Sequence, residues 1–205
     1  MITVRASTLD SFGLYMDPDV NFISTEEMDA RIARGAADGG STSEAAALGT
    51  AFHEAVAGTY VGAILFDPAT ITKARRGLGG VPSEVYGSTI VDVDGTPVRL
   101  TGHADYLLGL KLLDFKTSRK PIPPDRHADS LQWRAYCVIF GAECVTYRHV
   151  QLDDDDDGVV YAKSIDDVVM YPYPKLRDDV VQALRALLEY ARTRGILESM
   201  DDSAA

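Results

Sequence analysis

The stretch Thr101-Gly-His-Ala-Asp105-Tyr-Leu-Leu-Gly109-Leu-Lys-Leu-Leu-Asp114-Phe-Lys116 predicts two apolar strands joined by a short turn. Each strand carries ionisable side chains where strands are usually apolar: Asp105 in the first, Asp114 and Lys116 in the second. Side chains alternate between the faces of a strand, so Asp114 and Lys116 should point the same way. Carboxylates in apolar surroundings are costly, and a divalent cation between them removes that cost. The stretch therefore predicts a metal site beside a lysine, which suits phosphodiester cleavage.

Composition narrows the class of protein. The 205 residues are 46% hydrophobic and 25% charged, which suits one globular domain with a sizeable core. No apolar run is long enough to span a bilayer, and the N-terminus lacks the layout of a signal peptide, so we expect a cytoplasmic protein without membrane contact. The net charge of -11 argues against a general nucleic-acid coat protein, but it leaves a nuclease open because only the field at the cleft matters.

The cysteine content argues against an iron–sulfur cluster. Only Cys137 and Cys144 are present. An iron–sulfur cluster usually needs four cysteines, so we expect no iron–sulfur cluster held by this chain alone. Both residues should be buried free thiols.

Hydrophobic periodicity predicts helices on either side of a run of strands. The patterns favour short helices at 7–12 and 25–34, a Gly- and Ser-rich loop at 35–43, a long helix at 44–65, a loop with at most one helical turn at 67–82, strands at 85–93, 98–108 and 111–117, a helix at 128–140, a hairpin of 144–152 with 159–164, and a final helix from Pro174. This order predicts a mixed α/β fold, in which a central mixed sheet begins with antiparallel strands and is flanked by helices.

Four short motifs follow one another on these elements. They are Gly49-x-x-x-His53 on the long helix, Gly102-x-x-Asp105 and Asp114-x-Lys116 on the strands, and Gln132-x-x-x-Tyr136 on the next helix. In this order the motifs resemble the PD-(D/E)XK nuclease superfamily, in particular its RecB-like and phage-type exonuclease branch. The resemblance covers roughly residues 48 to 150 and implies a restriction-endonuclease-like core. It suggests an N-terminal helical and loop segment at 1–47, a nuclease domain at 48–197 and a disordered acidic tail at 198–205.

The resemblance also implies roles for the motif residues. His53, Asp105, Asp114 and the backbone carbonyl of Phe115 would hold Mg²⁺ or Mn²⁺. Lys116 would stabilise charge on the attacked phosphate, and Gln132 and Tyr136 would contact DNA or order the lysine. Two further candidates are Glu84, as an extra acidic residue, and His103, as a cleft residue.

A purely structural role stays open for each of these residues. The two aspartates can be surface residues of their strands, and Lys116 can extend to solvent from the end of its strand. His53 can be a structural histidine of its helix. Gln132 can lie at the rim of the helix face and Tyr136 in the core. Candidates for contacts with DNA phosphates are the basic residues Arg75, Arg76, Arg119, Lys120 and Arg126.

The acidic run Asp153 to Asp157 lacks the spacing of a calcium-binding loop, so it predicts a solvated hairpin tip.

Together these observations predict a Mg²⁺- or Mn²⁺-dependent deoxyribonuclease, an exonuclease of phage or bacterial recombination or repair. Its substrate would be linear duplex or single-stranded DNA in a bacterial or phage-infected cytoplasm. A single-strand annealing protein or another recombination protein is a candidate partner, and a homo-oligomer is consistent with the resemblance. The alternatives are a structure-specific endonuclease of the same fold, or a catalytically inactive module that binds DNA or a partner.

Overall fold

A computed structural model describes residues 1–19, 23–33 and 44–200. Its elements, in chain order, are β1 (Thr3–Arg5), α1 (Ala6–Met16), α2 (Thr25–Ala33), α3 (Glu44–Ala57), α4 (Pro68–Ala74), β2 (Ser83–Val93), β3 (Thr96–Leu108), β4 (Lys111–Ser118), α5 (Leu131–Phe140), β5 (Cys144–Asp154), β6 (Val160–Met170), α6 (Leu176–Arg194) and a 3₁₀ turn (Leu197–Met200). The loop predicted at 35–43 and the tail from 201 lie outside the described residues.

The six strands of the described residues form one mixed sheet with the order β1-β3-β4-β5-β6, in which β2 also pairs with β3. The first three long strands, β2 to β4, are antiparallel neighbours, as predicted. Strand β5 then runs parallel to β4, which requires a crossover, and helix α5 supplies it. The predicted mixed α/β fold is confirmed.

Helices cover both faces of the sheet. Leu112 packs into a core formed with α1, α2, α5 and α6, whereas its neighbour Leu113 packs into a second core beneath α3 and α4. Consecutive residues of β4 thus enter opposite cores, as the alternation of a strand requires. The site residues of β4 lie between these two layers. No helix in the described ranges has the length and apolar character needed to cross a membrane.

Two helix predictions need correction. Helix α3 ends at Ala57 rather than near residue 65, since Gly58 adopts a left-handed conformation with φ of 86°. Within the stretch predicted as a loop, α4 forms two turns because Asp67 accepts hydrogen bonds from the backbone N–H groups of Ala69 and Thr70.

The chain termini contribute to the sheet and its core. Strand β1 pairs in parallel with β3, and Leu9 and Phe12 of α1 are buried in the main core. At the other end, Met200 is only 2% exposed. Residues 198–200 belong to the 3₁₀ turn, and the predicted domain boundaries stay a prediction.

Candidate active site

The two aspartates lie on neighbouring antiparallel strands. Tyr106 of β3 pairs with Leu113 of β4, which places Asp105 and Asp114 side by side on consecutive strands. The Asp105 carboxylate accepts a hydrogen bond of 2.6 Å from the backbone N–H of Phe115. The carboxylate of Asp105 is thereby fixed at one position relative to the backbone that carries Asp114.

The buried Asp114 forms an ion pair with the half-buried Lys116. Lys116 Nζ lies 2.7 Å from Oδ2 of Asp114, a residue that is only 4% exposed. Burial raises the pKa of Asp114, as does the nearby Asp105 carboxylate, while the Lys116 charge acts in the opposite direction. Oδ2 of Asp114 makes this ion pair without accepting a hydrogen bond of good geometry. A carboxylate oxygen that is held by an ion pair keeps a lone pair with which it can coordinate a metal cation.

The ammonium of Lys116 stays charged. Burial lowers the pKa of Lys116, but the carboxylates of Asp114, Asp105 and Asp10 raise it further, so the net change is upward. Lysine with a raised pKa holds its proton at neutral pH, and it is therefore unsuited to act as a general base.

Helix α5 supplies the other partner of Lys116. Gln132 Oε1 accepts a hydrogen bond of 2.7 Å from Lys116 Nζ, and Gln132 Nε2 donates one of 2.9 Å to the Tyr136 hydroxyl. That hydroxyl lies 2.6 Å from the carbonyl oxygen of His103 and 3.2 Å from Oδ1 of Asp114. Asp114, Lys116, Gln132 and Tyr136 thus form a closed circuit of polar contacts, which we call the Lys116 circuit. Burial raises the pKa of Tyr136 well above its usual value, so its hydroxyl remains protonated.

Gly102 allows Tyr136 to approach the sheet. A Cβ atom at Gly102 would lie 2.9 Å from Tyr136 Cε1 and 3.1 Å from Ile139 Cδ1. The absence of a side chain at Gly102 therefore makes room for side chains of α5.

His53 of α3 contacts the other aspartate. Its Nδ1 lies 3.2 Å from Oδ1 of Asp105. Burial lowers the pKa of His53, but the hydrogen bond and charge of Asp105, with Asp114 nearby, raise it by more. Helix α3 packs tightly against β4, because a Cβ at Gly49 would lie 3.0 Å from Thr117 Oγ1. His53 of α3 thus contacts Asp105 of β3, and the charge of Asp114 on β4 acts on the same histidine.

The remaining acidic candidate lies close by. Glu84 lines a cavity of about 460 Å³ with His53, Asp105 and Thr50. Burial and the Asp105 charge raise the pKa of Glu84, whose backbone φ of 52° is unusual for this residue. Glu84, at the start of β2, therefore lies on the same cavity as Asp105 and His53.

The donor atoms fit a hard divalent cation. Mg²⁺ and Mn²⁺ prefer oxygen ligands and commonly use one or two carboxylates together with water and phosphate. Asp105 and the Oδ2 atom of Asp114 meet that requirement. Across the described ranges, no group of three or more His, Cys, Asp or Glu side chains is arranged so that it could hold a metal ion. The fit therefore rests on the two carboxylates, and ligation by His53 and the Phe115 carbonyl remains a prediction.

The basic candidates divide into two groups. Lys120 and Arg126 line a cavity of about 670 Å³ that also contains Lys116 and His127. Arg75 instead donates hydrogen bonds to the carbonyls of residues 55 and 56 at the end of α3, and Arg119 pairs with Asp154 at 2.8 Å. Arg76 is exposed, and its carbonyl accepts a hydrogen bond from Arg148. Among the basic candidates, Lys120 and Arg126 thus line a cavity that also contains Lys116 of the circuit.

His103 contributes through its backbone. Its side chain is exposed and lies against Tyr86, with ring centroids 5.0 Å apart. Its carbonyl, by contrast, is a partner of Tyr136.

The structure adds residues that sequence motifs did not identify. Lys116 Nζ lies 4.9 Å from the centroid of the Tyr147 ring, and His127 and His149 pack beside that ring. Asp10 of α1 accepts hydrogen bonds at the start of α5. The sequence shows that Asp10 is a residue type that can cap a helix. It does not show that the helix it caps is α5.

Comparison with known proteins places the fold. No family model and no curated protein sequence matches the chain. Among solved structures, SSO0001 is similar with a TM-score of 0.56 and 16% identity, covering 93% of this chain and 76% of that one. A putative exonuclease from Eubacterium rectale has a TM-score of 0.53 and 11% identity, covering 96% of this chain and 80% of that one. LHK-Exo in complex with dAMP has 15% identity and covers 98% and 92%, but its TM-score of 0.44 is too low to add support.

These similarities concern the fold, since the identities are low. The chain therefore shares a mixed α/β fold with SSO0001 and with a protein named as a putative exonuclease.

Proposed function

We propose that this protein is a metal-dependent DNA exonuclease. The observation that carries the proposal is the Lys116 circuit, which places a half-buried, charged lysine against the buried carboxylate of Asp114, with the Asp105 carboxylate nearby. A buried charge cluster of this kind is costly for stability, and functional sites commonly retain such clusters. The shared fold with an exonuclease supports the same reading.

Each residue has a task in the proposed reaction. Asp105 and Asp114 would hold Mg²⁺ or Mn²⁺, with His53 and the Phe115 carbonyl completing the ligands. The ion, when bound, supplies Lewis acidity toward the scissile phosphate and activates a water molecule. Lys116 stabilises negative charge that develops on the phosphate.

The other members of the site orient these groups. Gln132 holds Lys116 through Oε1, and the Tyr136 hydroxyl lies against Asp114. His53 restrains the carboxylate of Asp105. Pre-organisation of this kind lowers the cost of reaching the reactive geometry.

DNA would enter from the side of Lys120 and Arg126. Both residues are exposed on the cavity that reaches Lys116, and their charges suit contacts with backbone phosphates. Linear duplex or single-stranded DNA is the proposed substrate, in phage or bacterial recombination or repair. A recombination partner such as a single-strand annealing protein, and a homo-oligomer, belong to the same proposal.

A comparison of linear and closed DNA tests the proposal. With Mn²⁺, the protein should release nucleotides from an end-labelled linear duplex and leave a covalently closed circle intact. The position of the label in the products reports polarity at the same time. Cleavage of the closed circle at the rate for linear DNA would instead identify an endonuclease, and no cleavage of either would favour a binding module.

A further inference from the structure

Asp10, in the N-terminal segment, binds the start of the helix that carries Gln132. Its Oδ1 accepts hydrogen bonds of 2.7 Å from Ser130 Oγ, 2.7 Å from the N–H of Leu131 and 3.3 Å from the N–H of Gln132. The first N–H groups of a helix have no partner within the helix, and a carboxylate there is favourable both as acceptor and as negative charge. A residue 120 positions away in sequence thus shares the capping of α5 with Ser130.

Helix α1 lies close to the first turn of α5. Leu9 and Phe12 anchor α1 in the main core, and a Cβ at Gly13 would lie 2.7 Å from Leu131 Cδ1. Because α1 is fixed by its own burial, Asp10 presents its carboxylate at a defined position. The first turn of α5 is held against that position.

The first turn of α5 in turn sets the position of Lys116. Gln132, whose backbone N–H contacts Asp10, uses its side chain to bind both Lys116 Nζ and the Tyr136 hydroxyl. One residue therefore connects the cap to the Lys116 circuit. A shift of the first turn would lengthen both side-chain contacts at once.

We infer that Asp10 is a positioning residue for the reaction, which acts through α5 and Gln132 on Lys116. The inference rests on the proposed nuclease function and assigns a role to the N-terminal segment. Asp10 makes no contact with the reacting phosphate in this account. Its effect is on the geometry of the lysine.

The chain offers a matched control. Asp67 also accepts three hydrogen bonds at a helix start, from the N–H of Ala69, the N–H of Thr70 and the Oγ1 of Thr70, but it serves α4. Asp10→Ala and Asp67→Ala therefore remove similar capping interactions, and only the former lies next to Gln132.

The test measures kcat and KM with Mn²⁺ on end-labelled linear duplex. Asp10→Ala should lower kcat by about 10- to 100-fold with KM little changed, because misplacing a catalytic group affects the chemical step. Asp67→Ala should retain the wild-type kcat. Asp10→Asn should stay within a few-fold of wild type, because the amide oxygen can accept the same hydrogen bonds. Equal kcat for the two alanine variants would overturn the inference.

A double variant tests the route through Gln132. If Asp10 acts through this residue, Asp10→Ala combined with Gln132→Ala should be no slower than Gln132→Ala alone. Multiplication of the two single effects would show that Asp10 acts elsewhere and would overturn the inference. Should Asp10→Ala fail to fold, Asp10→Glu and Asp67→Glu replace the alanine pair, and an unchanged kcat for Asp10→Glu would count against the inference.

Hydrogen exchange separates this inference from the proposed function. Loss of Asp10 should speed amide exchange at Leu131 and Gln132 while leaving α6 unchanged. If the wild-type protein were inactive on every DNA substrate, the proposed function would be wrong. Amide hydrogen exchange at Leu131 and Gln132 would then still test whether Asp10 positions the start of α5. Unchanged exchange at these two amides in Asp10→Ala would defeat the positioning whether or not the enzyme is active.

Discussion

Lys116 meets partners on three sides. Asp114 and Gln132 each lie 2.7 Å from its Nζ, and the Tyr147 ring lies beneath the ammonium at 4.9 Å. The raised pKa keeps this group cationic, which suits stabilisation of an anionic transition state. The same contacts make the lysine hard to replace.

Removal of the Lys116 charge should therefore slow the chemical step. We expect Lys116→Ala to lower kcat by about 10²- to 10³-fold, the range typical of a lost electrostatic contact in an active site. Lys163→Ala is a suitable control, since Lys163 forms an exposed ion pair with Asp153. The measurement is the steady-state kcat of both variants and of wild type at saturating Mn²⁺. A kcat of Lys116→Ala within twofold of wild type would contradict the assigned role.

His127 should make stability depend on pH. Burial lowers the pKa of His127 to about 4, with a further contribution from the Lys116 charge. The folded protein keeps this imidazole neutral, whereas the unfolded chain protonates it near pH 6.5. Stability from this group is thus complete above pH 6.5 and is lost as pH falls toward 4.

The variant His127→Gln should remove that part of the pH dependence. The difference in unfolding free energy between pH 7 and pH 4 should shrink by an amount on the order of 2 kcal/mol. Urea unfolding at several pH values measures it. Identical pH dependence of the unfolding free energy for His127→Gln and wild type would refute the assignment.

Sequence reasoning at the residue scale works where spacing determines geometry. Asp114 and Lys116 are two apart on a strand, and Gln132 and Tyr136 four apart on a helix, so each pair shares a face. The roles of Asp10 and Arg75 could not be inferred in this way. Their partners are distant in sequence, and only the tertiary packing brings them together.

The approach of α5 to the sheet is the decisive contact at the element scale. Tyr136 and Ile139 fit over Gly102 of β3 with no room for another atom. The helix is also terminated at Gly141, which adopts a left-handed φ of 63°. The position of α5 thus depends on a glycine in a neighbouring strand.

The substitution Gly102→Ala should displace α5. We expect the unfolding free energy to fall by about 1–3 kcal/mol because the added methyl group overpacks the contact. Activity should fall more than stability alone explains, since Tyr136 and Gln132 move with the helix. Thermal unfolding and kcat of Gly102→Ala should be compared with those of Gly79→Ala, where an added Cβ meets nothing within 4 Å. Equal behaviour of the two variants would show that the close contact is unimportant.

Element boundaries show where sequence patterns fail. The apolar spacing of α3 continues to residue 63, but Gly58 stops the helix and Arg75 binds its last carbonyls. Strand β1 has three residues, too few to show alternation. Both features depend on tertiary partners, whereas the hairpin at Asp94 and Gly95 follows directly from local turn preference.

Charge is unevenly distributed over the whole molecule. The net charge is -11, yet Lys120 and Arg126 share the cavity that contains Lys116. The acidic run at the β5–β6 hairpin, Asp153 to Asp157, is only partly neutralised, by the pairs Arg119–Asp154 and Lys163–Asp153. DNA should therefore approach by the Lys120 side and avoid the hairpin.

DNA affinity should accordingly depend on salt through few contacts. Replacing Lys120 and Arg126 with Gln should weaken binding and reduce the slope of log affinity against log salt by about 1 to 2. Arg185→Gln, which removes an exposed cation paired with Asp94, should leave the slope unchanged. Fluorescence anisotropy of labelled DNA in Ca²⁺, from 50 mM salt upward, provides the comparison, and equal slopes for both variants would argue against this entry side.

Asp114 offers the most direct test of the central claim, because it belongs to both the proposed metal site and the Lys116 circuit. The measurement is the rate of nucleotide release from end-labelled linear duplex in Mn²⁺, for wild type, Asp114→Asn and the exposed control Asp156→Asn. The account predicts release by wild type and Asp156→Asn, loss of at least about 10²-fold in Asp114→Asn, and no release by any of them in EDTA. Wild-type release that persists in EDTA, or an Asp114→Asn rate equal to that of Asp156→Asn, would contradict it.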